Sequence, residues 1–199
     1  MHDYKDLKRL TKVATVILGI YLLLDLIASA GAVIEGPAPT GVARASDFVA
    51  LVELVALITS FCVVGRWIYR ASANAHGLSD YLSISPGWAV GWYFIPIMNL
   101  FRPFQAMKEI WFASHESDGG YEERAPAILS AWWGLWIVNN VLGNISFRLS
   151  MAGGADTSIS DGIDLISALV NIPLCLVLII IMREVSSSQR SAMHAQAFA

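Results

Sequence analysis

Three arginines are the residues of this sequence best suited to binding an anion. Arg66 and Arg70 are four positions apart, so they share one face of a helix, and Arg102 follows a short aromatic segment. A guanidinium group binds phosphate or carboxylate through a planar fork of N–H donors. The three side chains together predict a site for an anionic group, and anionic phospholipid headgroups are the nearest candidates at a membrane surface.

Neighbouring polar and aromatic residues complete this predicted site, which we call the basic site. Its members are Arg66, Arg70, Asn74, Trp88, Trp92, Asn99, Arg102, Gln105 and Glu109. The site could take a phospholipid or a partner membrane protein. The alternative is structural: the arginines extend from helix ends to the membrane surface, Glu109 neutralises one of them, and Asn99 caps broken backbone.

A second set of polar residues falls inside apolar runs, and we call it the acid cluster. Its members are Asp25, Glu53, Asn140, Asn144, Asp164 and Asn171. A carboxylate at the bilayer centre costs at least ~2.5–3.5 kcal/mol, so it must be paired, protonated or exposed to a wet cavity. The cluster predicts a cation or proton path. The alternative is that these groups form hydrogen bonds between helices, worth about 0.6 kcal/mol each.

Templates for catalysis are absent from the sequence. The four histidines show no paired H-x-x-x-H spacing, and no nucleophile elbow, Walker loop or dinucleotide fingerprint occurs. We therefore expect a protein that is not an enzyme, with no catalytic residues, no metal and no cofactor. The formal charge of -3 and the dispersed basic residues argue against a nucleic-acid partner.

Long apolar runs must position both sets of residues. Hydrophobic residues make up 56% of the chain and charged residues only 15%, against roughly 25% charged in an ordinary soluble domain. Spanning a bilayer takes ~20 apolar residues. Four runs satisfy this length, at residues 13–34, 48–71, 126–147 and 163–182. We expect an all-α membrane protein with one membrane domain, four transmembrane helices and a frayed or disordered tail at residues 185–199.

The segment at residues 85–114, between the second and third runs, is apolar but too short to cross. Pro96, Asn99 and Pro103 interrupt it. It predicts a re-entrant or interfacial helical hairpin. Its second half reads as an amphipathic helix along the inner membrane surface, with an apolar stripe formed by Phe104, Met107, Ile110 and Trp111.

The distribution of charge predicts the orientation. With four spans, only Arg44 and Arg148 fall on one side, and all other basic residues share the opposite side. Lysine and arginine accumulate in cytoplasmic loops, so both termini are expected in the cytoplasm. Ala28 and Ala32 form a small-xxx-small pattern of the kind that supports helix association. A homo-oligomer is therefore one of the alternatives for this protein.

The run SPGWAVGWYFIPIMNLFRPFQAMKEIW at residues 85–111 resembles the signature of a bacterial membrane family catalogued as domain of unknown function 4328. The upstream run RWIYRA at residues 66–71, followed by Asn74, resembles the stretch that precedes that signature. The resemblance covers about residues 61–114. It implies a bacterial, multi-pass inner-membrane protein and no particular activity. We expect binding or scaffolding in the membrane, with a small transporter or channel subunit for a cation or proton as the alternative.

Overall fold

The fold is helical throughout the part of the chain that the structure describes. A computed structural model describes residues 6–36, 43–115, 126–151 and 157–197, and regular secondary structure in these residues is all helix. The helices are α1 (Lys8–Glu35), α2 (Ala45–Leu78), α3 (Pro86–Gly91), α4 (Arg102–His115), α5 (Ala127–Met151) and α6 (Thr157–Ala197). Two single turns of 3₁₀ helix, Trp92–Phe94 and Met98–Leu100, connect α3 to α4. The predicted all-α class is confirmed.

Three of these helices are long and apolar enough to cross a membrane. They are α1 with 28 residues, α2 with 34 and the 37-residue part of α6 at Ile159–Ala195. The helix α5 has 25 residues but is not among the three, because asparagine, glycine, serine and tryptophan interrupt its apolar residues. The membrane class predicted from composition therefore rests on three helices of sufficient length.

The chain divides into two compact units that we describe separately. The first unit comprises Met1–Ala14, Cys62–Trp133 and Leu178–Ala199. The second unit comprises Thr15–Phe61 and Gly134–Val177. All residues of the predicted basic site fall in the first unit, and all residues of the acid cluster fall in the second.

The helix α4 packs its apolar face inside the first unit. Met107 and Ile110 are buried, and Phe104 stacks on Trp133 of α5 with ring centroids 6.0 Å apart. The periodicity correctly predicts this amphipathic helix. The rest of the unit thus covers Met107 and Ile110 of the predicted apolar stripe with protein.

The helix α6 continues well beyond the predicted end of its apolar run. The expectation of a frayed or disordered tail after Glu184 is wrong within the described residues, since the helix extends to Ala197. Val185 and Gln189 are both fully buried on this extension. Packing of one helix face against neighbouring elements stabilises a helix that its polar composition alone would not.

In the second unit, Arg44 connects the ends of three helices. Its Nη1 donates to Asp161 Oδ2 at 2.8 Å and to the carbonyl oxygens of Ala32 and Gly36 at 3.5 and 3.4 Å, while Nε donates to Asp47 Oδ1 at 3.3 Å. The hydrogen bond to Asp161 raises the pKa of Arg44, so the side chain is positively charged at any physiological pH. The Ala32 carbonyl also accepts the Gly36 N–H at 3.1 Å, so Arg44 adds a second donor there and binds the Gly36 carbonyl just beyond the end of α1.

Small residues let α1 and α2 approach closely in this unit. A Cβ atom placed on Gly31 would lie 3.2 Å from Cβ of Ser46, and the Ser46 hydroxyl donates to Glu35 Oε2 at 2.8 Å. Ala28 and Ala32 are buried within the unit. The small-residue pattern of α1 is thus covered by the chain itself.

Candidate functional site

The centre of the basic site is a stack of two indoles and a guanidinium in the first unit. The rings of Trp88 and Trp92 are stacked with centroids 4.5 Å apart, and Cζ of Arg102 lies 5.5 Å from the Trp92 ring centroid. Nη1 of Arg102 donates to Gln105 Oε1 at 3.0 Å. We call these four residues the Trp–Arg stack. A cation held over an indole and bonded to an amide keeps a fixed orientation, so its other N–H groups are preorganised.

Two glycines lie at close contacts in this arrangement. A Cβ atom on Gly91 would lie 3.1 Å from Cε3 of Trp88, so a side chain there would require the first indole to shift by a few tenths of an ångström. A Cβ atom on Gly65 would lie 3.5 Å from Cγ1 of Val90, which shows that α2 and α3 are in close contact there. Gly65 directly precedes Arg66. The backbone of this second arginine of the basic site therefore lies next to the contact between α2 and α3.

The three arginines are free of carboxylate partners in the described residues. Ion pairs in that part of the chain join Arg44 to Asp47 and Asp161, and Arg190 to Asp6. Arg66 and Arg102 are exposed and Arg70 is half-buried. Their charges are therefore available to an anion from outside the chain.

Asn74 and Glu109 lie in the same unit but serve structural contacts. Asn74 is buried and its Nδ2 donates to Gln189 Oε1 at 3.1 Å. Glu109 Oε2 accepts the backbone N–H groups of Ser83 and Ile84 at 3.1 and 3.0 Å, and Oε1 accepts the Ser83 hydroxyl. Glu109 thus anchors the connection before α3. The expectation that it neutralises an arginine is wrong for the described residues.

Asn99 differs from the other polar members of the site. Its backbone N–H donates to the Ile95 carbonyl at 2.7 Å. Its side-chain Oδ1 is buried and accepts no hydrogen bond from any described residue. The expectation that Asn99 caps broken backbone is therefore wrong. Its Oδ1 is a buried acceptor without a donor among the described residues.

Large apolar side chains are exposed in the segment that joins α3 to α4. Phe94 is 82% exposed, Ile97 71% and Phe101 60%. Exposed apolar residues in sequence with each other mark a surface that contacts lipid or another protein. This surface directly precedes Arg102 in the chain.

Gln189 is the buried polar residue of the first unit that sequence analysis missed. Its Nε2 donates to the Ala71 carbonyl at 2.9 Å and to Ser114 Oγ at 3.1 Å, while its Oε1 accepts from Asn74. Both amide protons are thus used, and the side chain joins α2, α4 and α6. The spacing of Met182, Val185 and Gln189 at three and four residues is the sequence signal for this face.

A second buried chain of hydrogen bonds joins α2, α1 and α6 in the same unit. Trp67 Nε1 donates to Thr11 Oγ1 at 2.9 Å, and Thr11 Oγ1 lies 2.8 Å from Ser186 Oγ. Ser186 in turn donates to the Met182 carbonyl at 2.6 Å. Because the Ser186 proton is used there, the Thr11 hydroxyl donates to Ser186, and the chain of donors ends on the backbone.

The acid cluster of the second unit is centred on Asn171. Its Nδ2 donates to Asp25 Oδ2 at 2.8 Å and to the Tyr21 hydroxyl oxygen at 3.0 Å. Glu53 is close enough to Asp25 and Asp164 for their charges to interact. Three helices therefore contribute one carboxyl group each. Within the described residues, no lysine or arginine pairs with these three groups, and no group of three ligands suited to a metal ion occurs.

Asn140 and Asn144 do not complete this cluster. Their Nδ2 groups donate to the carbonyl oxygens of Trp136 and Asn140, at 2.8 and 3.0 Å, one turn earlier in α5. Each amide thus donates one of its protons within its own helix. In the same unit, Ser167 Oγ and Asn139 Oδ1 are buried and have no hydrogen-bond partner among the described residues.

Comparison with known proteins confirms the resemblance seen in the sequence. The family described as "Domain of unknown function (DUF4328)" matches residues 39–187, which include every residue of the basic site and all of the acid cluster except Asp25. Comparison with curated proteins gives no match, and comparison with solved structures gives none either. Because the match covers well over half of the 199 residues, the chain belongs to the DUF4328 family.

Proposed function

We propose that this protein is a non-enzymatic, multi-pass bacterial inner-membrane protein that binds anionic lipid headgroups through Arg66, Arg70 and Arg102. The observation that carries the proposal is the Trp–Arg stack. It holds an exposed guanidinium in place with an indole and an amide, without a carboxylate partner among the described residues. Exposed apolar residues precede that guanidinium in the chain, as expected where acyl chains and headgroups meet.

The helix α5 is the fourth span in this proposal. Its 25 residues extend about 38 Å at ~1.5 Å per residue, which exceeds the ~30 Å hydrocarbon core. Its hydropathy is lowered partly by Asn140 and Asn144, yet both amides donate to the helix backbone. This internal bonding reduces the cost of placing the two asparagines in lipid.

Charge supports an arrangement with both termini in the cytoplasm. Among the described basic residues, Arg44 and Arg148 belong to the second unit and the others to the first. An even number of spans keeps the basic residues of the first unit on one side, in accordance with the positive-inside rule.

The segment from α3 to α4 is the re-entrant or interfacial hairpin of this proposal. The helix α4 contacts α3 and both of the 3₁₀ turns between them, which supports a hairpin. The exposed side chains of Phe94, Ile97 and Phe101 lie in the segment between these helices. Their insertion into lipid would bring Arg102 to the depth of the headgroups, where arginine side chains favour the interface.

Lipid retention tests this proposal. The Arg66→Ala, Arg70→Ala and Arg102→Ala variants, singly and combined, would be purified in detergent and mixed with phosphatidylglycerol and phosphatidylcholine, and bound lipid counted by native mass spectrometry. Each removed arginine should lower retention of phosphatidylglycerol about fivefold, since a basic residue near an anionic surface contributes ~1 kcal/mol. Retention of phosphatidylcholine should not change.

Arg183→Ala is the matched control, because Arg183 is an exposed basic residue of the same unit outside the basic site. An equal loss of phosphatidylglycerol in this control would show that charge alone, and not the site, retains the lipid. Unchanged retention in the triple variant would contradict the proposal and would favour a protein partner for the three arginines.

The acid cluster supports a second candidate function, a proton path through a small transporter or channel subunit. Its specific observation is that Asp25, Glu53 and Asp164 come together without a basic partner in the described residues. Proton flux into reconstituted vesicles would test it. Flux that is lost in Asp25→Asn and kept in the exposed control Asp80→Asn would support this function, and flux independent of Asp25 would remove it.

A further inference from the structure

Arg102 is held by the protein, whereas the other two arginines of the basic site are not. Its Cζ lies 5.5 Å from the Trp92 ring centroid, and its Nη1 donates to Gln105 Oε1 at 3.0 Å. Within the described residues, Arg66 and Arg70 make no hydrogen bond, ion pair or contact with an aromatic ring. Their side chains are free to adopt several rotamers, and fixing one of them on a ligand costs conformational entropy. For Arg102 this cost falls in folding and not in binding.

The contacts of Arg102 leave one edge of its guanidinium open. Gln105 engages Nη1, and no residue in the described part of the chain accepts from Nε or Nη2. In a planar guanidinium the Nε–H and Nη2–H bonds are nearly parallel, so together they fit two oxygens of one anionic group. Arg102 is exposed, so this edge is the part of the side chain that is left for a ligand from outside the chain.

We infer that Arg102 binds the phosphodiester of an anionic phospholipid through Nε and Nη2 together, whereas Arg66 and Arg70 contribute charge alone. This inference rests on the proposed lipid-binding function and names the contact that recognises the headgroup. A phosphodiester has two oxygens without an ester bond, and these match the open edge. The exposed apolar residues that precede Arg102 favour a phospholipid over a soluble phosphodiester, because they offer acyl chains a contact surface.

This division of roles explains why a zwitterionic lipid is not a good ligand. Phosphatidylcholine carries the same phosphodiester as phosphatidylglycerol, but its quaternary ammonium group cancels the net charge that Arg66 and Arg70 attract. The fork of Arg102 recognises the phosphodiester, and the other two arginines recognise the net charge. An anionic phospholipid satisfies both.

Arg102→Lys separates the fork from the charge. An ammonium group keeps the charge and can stay over the Trp92 ring, but it lacks two parallel donors. Arg102→Lys should lower retention of phosphatidylglycerol about fivefold, close to the loss in Arg102→Ala, because the paired hydrogen bonds supply most of the contribution. Arg66→Lys and Arg70→Lys are the matched controls and should lower retention less than about twofold, since they keep the charge. Native mass spectrometry of the full-length protein in detergent measures all four variants.

The outcomes of this series distinguish the inference from the proposed function. Wild-type retention in Arg102→Lys, with a loss in Arg102→Ala, would overturn the inference and leave the proposed function intact, because charge alone would then suffice. Equal losses in the three lysine variants would also overturn the inference, since no arginine would then be distinguished. Retention that is unchanged when all three arginines are replaced by alanine would overturn the proposed function itself.

Gln105 is the positioning residue of this contact, and it gives a second test. Gln105→Leu keeps the charge of Arg102 but releases Nη1, so retention of phosphatidylglycerol should fall about two- to threefold. In the Arg102→Ala background the same change should have no further effect, because residues that act through one group are not additive. A general loss of structure would lower retention in both backgrounds. Losses of equal size in both backgrounds would overturn the fixed orientation of Arg102.

A soluble competitor tests the source of the phosphodiester. Glycerophosphoglycerol is the headgroup that remains when the acyl chains of phosphatidylglycerol are removed. At a concentration equal to that of the lipid, it should not displace bound phosphatidylglycerol from the wild-type protein. Displacement would overturn the inference in favour of a soluble phosphodiester, because the acyl chains would then contribute nothing.

Discussion

The two units of this protein treat buried polar side chains in opposite ways. In the first unit, neutral groups are joined in closed sets: Gln189 uses both of its amide protons, and the donors that start at Trp67 end on a backbone carbonyl. In the second unit, the Asp25 carboxyl group accepts from Asn171 and interacts electrostatically with Glu53, without a basic partner among the described residues. The two sets of the first unit thus contain only neutral groups, whereas the polar cluster of the second unit contains carboxyl groups.

This difference separates groups that hold the fold from groups that can do chemistry. A neutral network in which every proton is donated to a hydrogen bond has no proton left to transfer. Its contribution is therefore to stability and to a unique packing. A carboxyl group without a cation can still gain or lose a proton, and such residues inside a membrane are functional by default. Substitutions in the first unit should therefore reduce stability, whereas neutralising the second cluster should not.

Gln189→Leu should have the largest effect on stability. It leaves the Ala71 carbonyl and Ser114 Oγ without their donor and deprives Asn74 of an acceptor. Three buried hydrogen bonds are lost at about 0.5–1.5 kcal/mol each, so we expect a loss of about 3 kcal/mol in the free energy of unfolding. Reversible unfolding in mixed micelles measures it. Gln105→Leu, an exposed glutamine in the same unit, should change stability little, and equal losses would show that burial is not the cause.

Trp67→Phe should have the next largest effect. It keeps an aromatic ring in the core but removes the Nε1 donor to Thr11 Oγ1. We expect a loss of about 1–2 kcal/mol in the free energy of unfolding, from one buried hydrogen bond and the small cavity. The same unfolding assay applies, with Trp88→Phe in the half-exposed stack as control. A neutral result would mean that the chain of donors from Trp67 to Met182 contributes no stability.

Of these three variants, Asp25→Asn should have the smallest effect on stability. It therefore tests whether the buried polar groups of the two units differ in role. An amide keeps the shape of the carboxyl group and can still accept the hydrogen bond from Asn171. We expect the free energy of unfolding to change by less than about 1 kcal/mol, since a neutral group is cheaper to bury than an unpaired charge. A large loss would show that the Asp25 carboxylate is structural, as Gln189 is, and would remove the distinction between the two units.

Apolar periodicity predicts helices well in this chain but does not predict what they pack against. The run that begins near Pro103 is an α-helix as expected, yet Met107 and Ile110 face protein instead of lipid. The same apolar stripe suits either neighbour, so sequence alone cannot decide. The extension of α6 was missed because its polar residues resemble a solvated tail, while the residues that bury Gln189 are contributed by distant helices.

Polar residues were the harder part of the prediction for a similar reason. The amides of Asn140 and Asn144 were assigned to the acid cluster, but a side chain on a helix can also donate to the carbonyl one turn earlier. Arg66 and Arg70 of the basic site could be named because their spacing is local. The stacking of Arg102 on Trp92 and the unpartnered oxygen of Asn99 depend on a turn geometry that hydropathy does not encode.

The contacts of Arg44 also constrain how this protein is made. The guanidinium reaches carbonyls and a carboxylate that are translated close to it, but its shortest bond is to Asp161, 117 residues further along the chain. While the residues between Arg44 and Asp161 are still being synthesised, α1 and α2 hold a cation that lacks one of its partners. The arrival of α6 completes this junction, so the second unit is fully assembled only after Asp161 has left the ribosome.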